Sequence, residues 1–235
     1  MCDLFGLSCN EKDRATRSLP VFANYSKIND DGWGIAYYKD NKPIIRRKPE
    51  KAKMSQQFFK MIEEAKSNII IAYIRLATQG DICKENCHPF KQYFQNKDWV
   101  FAHNGHVAGI TRHSRSEGET DSEQVFNFIL DQIHEYQNQG QIRGVYPGLI
   151  KGIKKVFEVF SRNINLNFLL SDGSILYAFN HYTGKPIYFL KREKDYGGAF
   201  LISTHKLSNE NWKILPSDRL LLITRGNILV LSGPI

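Results

Sequence analysis

The 235-residue chain has no apolar run approaching the ~20 residues that a membrane-spanning helix requires. Its first residues lack the basic segment and following apolar stretch of a secretory signal. It has only four cysteines, at positions 2, 9, 83 and 87, which are too few for a disulfide scaffold in a chain of this length. We therefore expect a cytoplasmic protein with reduced thiols and no membrane partner.

Clustered positive charge is also missing, although the formal net charge is +8, with 32 basic and 24 acidic residues. The densest basic segments, RRKPEKAK, IKGIKK and LKREK, lie far apart, and no aromatic residues alternate with lysine or arginine in them. Nucleic-acid binding requires such a pattern on one face. The charge predicts a solvated basic surface and no nucleic-acid partner, and it leaves an anionic small molecule as the alternative.

The order of apolar patterns predicts a layered α+β domain. Internal repeats, low-complexity tracts and linkers are absent, so we expect one domain over residues 2–235. DGWGIAYY and KPIIRRK form a predicted hairpin, SQQFFKMIEEAK a helix after a Ser cap, and NIIIAYIRLAT and WVFAHNG buried strands. Two helices follow, DSEQVFNFILDQIHEYQNQG and PGLIKGIKKVFEVFSRN, and then strands to the end, the last hairpin turning at Gly226–Asn227. Two sheets with helices on their outer faces would bury all of these apolar surfaces.

Cys2 follows the initiator methionine directly. If Met1 is removed, this one residue carries both a thiol and a free α-amino group, which pairs a nucleophile with a base. A small second residue favours that removal. A retained Met1 would turn the amine into an amide and abolish the base.

Polar residues end the two buried strands, where a rigid scaffold could present them. Arg75 and Thr78 in YIRLATQG would bind an anion, and the alternative for Arg75 is an internal salt bridge. Asn104 and Gly105 in FAHNG offer two donors that could converge on an oxyanion, and the alternative is a tight turn.

Three further features carry weaker signals. Asp121 in ETDSE either caps the following helix or binds an ammonium group. Cys83, Cys87 and His88 form a C-x3-C-H cluster without the second pair of a zinc site, so no metal is predicted. Ser203 and His205 end a strand, either near the pocket or as an ordinary strand end.

Six motifs occur together in a fixed order: MC-LFGL, DGWGIAYY, RLAT-G, N-HPF, FAHNG and a TDSE helix start. As a set they resemble the class-II glutamine amidotransferases, which are N-terminal-nucleophile hydrolases, and above all the small stand-alone members. The resemblance implies a four-layer αββα sandwich of two mainly antiparallel sheets between helices. It also implies hydrolysis of the glutamine side-chain amide to glutamate and ammonia, with no cofactor.

The resemblance further implies a role for each matching residue. Cys2 would be the nucleophile, with its α-amino group as general base, and Asn104 and Gly105 would hold the oxyanion. Arg75, with Thr78 beside it, would bind the substrate α-carboxylate. The remaining matches are Asp121 for the α-ammonium, His88 at a family position without a defined role, and Trp33 and Gly34 in the wall around the nucleophile.

The substrate and the acceptor stay open at this stage. The ammonia could pass to a separate partner subunit, the protein could act as a plain glutaminase, or the site could cleave a different γ-glutamyl amide. The alternative from another class is a non-catalytic module that binds an amino acid or docks a partner. The presence of Cys2 together with the other matched residues favours the enzyme.

Overall fold

The computed structural model describes residues 2–141, 143–160, 164–193 and 197–235. None of the helices within these ranges is both long enough and apolar enough to cross a membrane. In chain order the strands and α-helices are β1 (Asp3–Asp13), α1 (Leu19–Ala23), β2 (Gly32–Lys39), β3 (Lys42–Lys48), α2 (Gln56–Glu64), β4 (Ser67–Arg75), β5 (Phe90–Phe94), β6 (Lys97–His106), α3 (Asp121–Asn138), α4 (Val145–Phe160), β7 (Asn165–Ser171), β8 (Leu176–Asn180), β9 (Tyr188–Arg192), β10 (Ala199–Ser203), β11 (Lys213–Ile214), β12 (Arg219–Thr224) and β13 (Asn227–Leu231).

The strands form two antiparallel sheets. The seven-stranded sheet has the order β11-β9-β10-β1-β4-β2-β3, and the six-stranded sheet has the order β13-β12-β8-β7-β6-β5. Strand β1 lies at the centre of the first sheet, where it pairs with β10 on one side and β4 on the other. The beginning of β1, next to Cys2, is therefore held by neighbours that lie far from it in sequence.

Three apolar clusters separate four layers. The first packs α1 and α2 on the outer face of the seven-stranded sheet, and the second packs α3 and α4 on the outer face of the six-stranded sheet. The third lies between the inner faces of the two sheets, and Cys2 packs against it. The αββα sandwich expected from the sequence is confirmed.

The local signals placed most elements correctly. The Ser55 hydroxyl accepts a hydrogen bond from Phe58 N (3.1 Å) and caps α2, as its position before the apolar period predicted. The last hairpin turns at Arg225–Gly226, one residue before the predicted position, because Asn227 already pairs with Thr224. The predicted end of the second long helix, at residues 161–163, lies outside the described residues.

Strand β1 has no clear signal in the sequence. Its first seven residues are all buried, because the sheet is covered on both faces. The segment DLFGLSC therefore lacks the alternation of apolar and polar residues that marks a half-exposed strand. Its pairing partners, not its own pattern, define it.

Trp33 occupies a different layer from the one expected. Its fully buried indole packs edge-to-face on Phe58 of α2 (5.3 Å between ring centroids, 89°), within the outer cluster of the seven-stranded sheet. Cys2 contacts the inner cluster on the other face of that sheet. The structure therefore assigns Trp33 to the helix–sheet core, and the expectation that it shapes the wall around the nucleophile needs correction.

Replacement of Trp33 by alanine should lower the free energy of unfolding by about 3–5 kcal/mol, because it leaves a large cavity under α2. Urea denaturation monitored by circular dichroism would measure the change. A loss below about 1 kcal/mol would contradict the core assignment.

Candidate active site

The Cys2 side chain is half-buried at the entrance to β1 and contacts the backbone that follows β4. Leu76 N donates a hydrogen bond to Cys2 Sγ (3.3 Å), and the thiol donates to Leu76 O (3.2 Å). Burial raises the pKa of the Cys2 thiol, although the neighbouring Tyr73 hydroxyl and the Leu76 backbone act in the opposite direction. The side chain is therefore a thiol near neutral pH, and its use as a nucleophile requires a base.

Tyr73 joins the thiol to the opposite sheet. Its buried hydroxyl donates to His103 O in β6 (2.9 Å) and lies within hydrogen-bonding reach of Cys2. Burial, reinforced by the neighbouring thiol, raises the Tyr73 pKa well above its usual value, so the phenol keeps its proton. Tyr73 was not among the residues expected from the sequence, where its only signal is a tyrosine two positions before Arg75 in an apolar strand.

Asn104 follows His103 and belongs to the inner face of β6. Side chains alternate between the two faces along the strand. Phe101 packs in the outer cluster, whereas Ala102, two positions before Asn104, packs in the inner cluster. Asn104 is 2% exposed, and its Nδ2 has no hydrogen-bond partner among the described residues. A buried amide donor without a partner costs roughly 1–3 kcal/mol, so it calls for an explanation such as a ligand.

Asn104 and Gly105 do not form a turn, which was the alternative from the sequence. Both lie inside β6, where Asn104 pairs with Asn167 and Gly105 with Leu166 of β7. A Cβ atom at Gly105 would lie 1.8 Å from Asn165 O, so only glycine permits this close approach of the two strands. The pair is thus held rigidly by the sheet.

Arg75 ends β4 and is 2% exposed. Its Nη1 donates to Asp81 O (2.9 Å), and its Nη2 donates to Gln79 O (3.0 Å) and Gly80 O (3.1 Å). The structure shows no carboxylate paired with Arg75 among the residues it describes, so the internal salt bridge considered above is not found there. Carbonyl dipoles orient the guanidinium and leave its formal charge uncompensated, which suits an anionic ligand.

Asp121 is the first residue of α3, and Thr120 before it is the N-cap. The capping role considered for Asp121 therefore belongs to its neighbour. Asp121 Oδ2 accepts hydrogen bonds from Val107 N (2.8 Å) and His106 Nδ1 (3.0 Å). These contacts join the start of α3 to the end of β6, which also carries Asn104. The Asp121 carboxylate is 5% exposed and has the charge to bind an ammonium group.

His88 lies behind Tyr73. The two rings stack with centroids 4.0 Å apart, and neither imidazole nitrogen has a partner among the described residues. Burial lowers the pKa of His88 well below its usual value, and the nearby His103 and Arg75 act in the same direction. The imidazole is therefore neutral and supports the tyrosine by packing.

Gly34 and Thr78 complete the set of expected residues. A Cβ atom at Gly34 would lie 1.9 Å from His88 O, so this glycine allows the His88 segment to approach β2. Thr78 is exposed in the bend after β4. Gly34 thus packs against His88, which stacks on Tyr73. Thr78 lies at the surface beside the loop whose carbonyl groups orient Arg75.

Comparison with known proteins shows which family this chain resembles. Residues 1–201 match the family model of class-II glutamine amidotransferases. An uncharacterized protein of Methanocaldococcus jannaschii, MJ1515, is 31% identical over an alignment that covers 97% of this chain and 71% of that protein. Escherichia coli YafJ is 27% identical over 227 residues, which cover 93% and 87% of the two chains.

A solved structure shares the fold. The crystal structure of a predicted glutamine amidotransferase from Pseudomonas aeruginosa superposes with a TM-score of 0.67 at 24% sequence identity. The match covers 97% of this chain and 100% of the other. At this identity the likeness extends to the αββα architecture alone.

Replacement of His88 by phenylalanine should make stability less dependent on pH. Below about pH 6.5 the unfolded chain protonates this histidine and the folded chain does not, so the free energy of unfolding falls as the pH decreases. Removal of the imidazole should reduce that slope by up to about 1.4 kcal/mol per pH unit. Urea titrations at pH 5, 6 and 7 would measure it, and identical slopes in both proteins would contradict a neutral buried His88.

Proposed function

We propose that this chain, which belongs to the class-II glutamine amidotransferases, hydrolyses the side-chain amide of glutamine to glutamate and ammonia. The observation that carries the proposal is the buried, unpartnered Nδ2 of Asn104, which shares the inner layer with the Cys2 thiol. Tyr73 contacts both the thiol and the carbonyl group of the residue before Asn104. A nucleophile and an oxyanion donor are thereby linked through one side chain.

The first half of the reaction forms an acyl-enzyme. After Met1 is removed, the α-amino group of Cys2 takes the thiol proton, and Sγ attacks the γ-carbonyl carbon of glutamine. The carbonyl oxygen becomes an oxyanion that accepts hydrogen bonds from Asn104 Nδ2 and Gly105 N–H. The C–N bond then breaks, and the α-ammonium group of Cys2 gives its proton to the leaving nitrogen. Ammonia departs and leaves a γ-glutamyl thioester on Cys2.

The second half uses the same groups with water. The α-amino group takes a proton from water, the hydroxide attacks the thioester, and a second oxyanion forms at the same donors. The C–S bond breaks, glutamate leaves, and the thiolate recovers its proton. The raised thiol pKa favours reprotonation of Cys2 at the end of the cycle.

Two charged side chains would hold the amino-acid end of the substrate. Arg75, oriented by three carbonyl oxygens, would bind the α-carboxylate, and Asp121 would accept the α-ammonium group. Their opposite charges match a free α-amino acid and would reject a peptide-linked glutamine at either end. Ammonia would then leave to solvent or to a separate acceptor subunit.

A γ-glutamyl compound with an anionic distal group is the second candidate substrate. A groove of about 720 Å³ runs beside β3 and reaches Pro89, the residue after His88. Its charged lining comprises five basic residues, Arg46, Arg47, Lys48, Lys84 and Lys91, and three acidic ones, Glu50, Glu117 and Glu123. This excess of positive charge would suit an anionic ligand in the groove.

A diazo-ketone analogue of glutamine should modify Cys2 alone, since it places an electrophile where the γ-carbonyl carbon would lie. Intact-mass spectrometry with peptide mapping would follow the reaction, and the starting mass should lack Met1. Excess glutamine should block the adduct. Protection by an anionic γ-glutamyl peptide and not by glutamine would favour the second candidate.

The Cys83→Ser variant is the matched control, because Cys83 is also a partly exposed free thiol. It should react as the unaltered protein does, whereas Cys2→Ala should give no adduct. A retained Met1, or an adduct on Cys83 only, would overturn the catalytic proposal and leave a non-catalytic binding module.

Replacement of Asn104 by alanine should lower kcat for glutamine hydrolysis by about 100- to 1,000-fold, the usual loss for one oxyanion donor. KM should change little, because the donor acts mainly on the charge that develops in the transition state. Steady-state assays of ammonia release would separate the two constants. A large rise in KM at constant kcat would contradict the oxyanion role.

A further inference from the structure

A second polar cluster lies directly beside the nucleophile and has no part in the mechanism above. At its centre is Asp3, which is 1% exposed. Its Oδ1 contacts His205 Nε2 (2.7 Å), Thr204 Oγ1 (3.0 Å) and Lys185 Nζ (2.5 Å), and its Oδ2 accepts from Asn29 Nδ2 (2.6 Å). A buried carboxylate with this many partners fixes the backbone of the first residue of β1.

Lys185 connects this cluster to Cys2. Its Nζ donates a hydrogen bond to Cys2 O (2.8 Å) while it forms the ion pair with Asp3. The side chain is only 11% exposed. Its backbone is anchored as well, because Lys185 O accepts from Asn167 Nδ2 (2.6 Å) and Asn167 pairs with Asn104 in the sheet. Lys185 therefore connects Cys2 to β7, the strand that pairs with Asn104.

Cys2 needs such a contact because the sheet does not hold its backbone. The pairing of β1 with β4 starts at Asp3, opposite Ile74, and the pairing with β10 starts at Phe5. Once Met1 is removed, Cys2 would be the chain terminus, and unpaired termini fray. The structure shows a side-chain hydrogen bond to the carbonyl group of Cys2 from Lys185.

The charge of Lys185 matters too. Burial alone would raise the pKa of Asp3, but the hydrogen bond from His205 and the charge of Lys185 outweigh burial and lower it, so Asp3 is a carboxylate. That negative charge acts on the neighbouring thiol and opposes its ionisation. The ammonium group of Lys185 balances it. His205, which stacks on Tyr25 (3.6 Å between ring centroids), completes the enclosure of Asp3.

We propose that Lys185 is a positioning residue that holds the carbonyl group of Cys2 and balances the charge of Asp3, so that the thiol and α-amino group of Cys2 face the substrate. The proposal deepens the proposed function and rests on it for the catalytic readout. Lys185 acts through Cys2 and needs no contact with glutamine. Loss of the lysine should therefore alter kcat and the ionisation of the thiol more than KM.

The Lys185→Met variant tests this directly. We expect kcat for amide hydrolysis to fall by about 10- to 100-fold, because small misplacements of a reacting group have effects of that size, and KM to stay within about twofold. The midpoint of the pH dependence of Cys2 alkylation by iodoacetamide should rise by about one pH unit, because Asp3 is then unbalanced. Lys191→Met is the matched control, since Lys191 is half-exposed on β9 and pairs with Glu193.

A second pair of variants separates charge from contact. Lys185→Arg keeps the positive charge and should keep the alkylation midpoint. The double variant Asp3→Asn with Lys185→Met removes both charges, so its midpoint should return towards that of the unaltered protein while kcat stays low. If Lys185→Met alone does not fold, as judged by its thermal transition, the double variant carries the test.

The two proposals fail in different ways. An unaltered protein that releases no ammonia from any amide would overturn the proposed function, and the alkylation profiles would still test Lys185. An active protein whose Lys185→Met variant keeps both its kcat and its alkylation midpoint would overturn the positioning role alone.

Discussion

The hydrogen bond that Tyr73 donates to His103 O on the opposite sheet fixes the position of β4, which lies beside the Cys2 thiol, relative to β6, which carries Asn104. The seven-stranded sheet carries Cys2 at the entrance to β1, and the six-stranded sheet carries Asn104 in β6. Apolar packing between the two sheets is not directional, whereas a hydrogen bond requires a defined donor–acceptor distance and angle. The neutral ring of His88 stacks on Tyr73 and restricts its movement.

Most of the polar residues at the site are held by backbone groups. Three carbonyl oxygens orient Arg75, Leu76 contacts the thiol through both N and O, and Val107 N binds Asp121. Such contacts need no rearrangement when a substrate enters, which is what electrostatic preorganisation requires. The Asn104 amide and the His88 imidazole have no hydrogen-bond partner among the described residues, and under the proposed function a developing negative charge would supply the acceptor for Asn104.

Under the proposed function, Cys2 is both the nucleophile and the first residue of the chain, where the backbone is hardest to hold in place. Only a terminal residue can offer both a thiol and an amine, and a terminal residue lacks the preceding peptide group through which a strand is usually held. The buried ion pair of Asp3 and Lys185 lies at this point, and His205 forms a hydrogen bond with Asp3. Burial of the pair carries a desolvation cost, and its lysine also donates the hydrogen bond that holds the carbonyl group of Cys2.

The sequence by itself determined the three longer helices, most strands, the layered architecture and the set of polar motifs, because caps, apolar periods and short motifs act within a few residues. It did not reveal β1, whose fully buried faces erase alternation, nor the face on which Trp33 lies, since either face of a doubly covered sheet accepts an indole. Tyr73 and Lys185 emerged only from the tertiary structure. Lys185 meets Cys2 across 183 positions of the chain, and a contact at that distance depends on strand order and sheet packing, which no local pattern encodes.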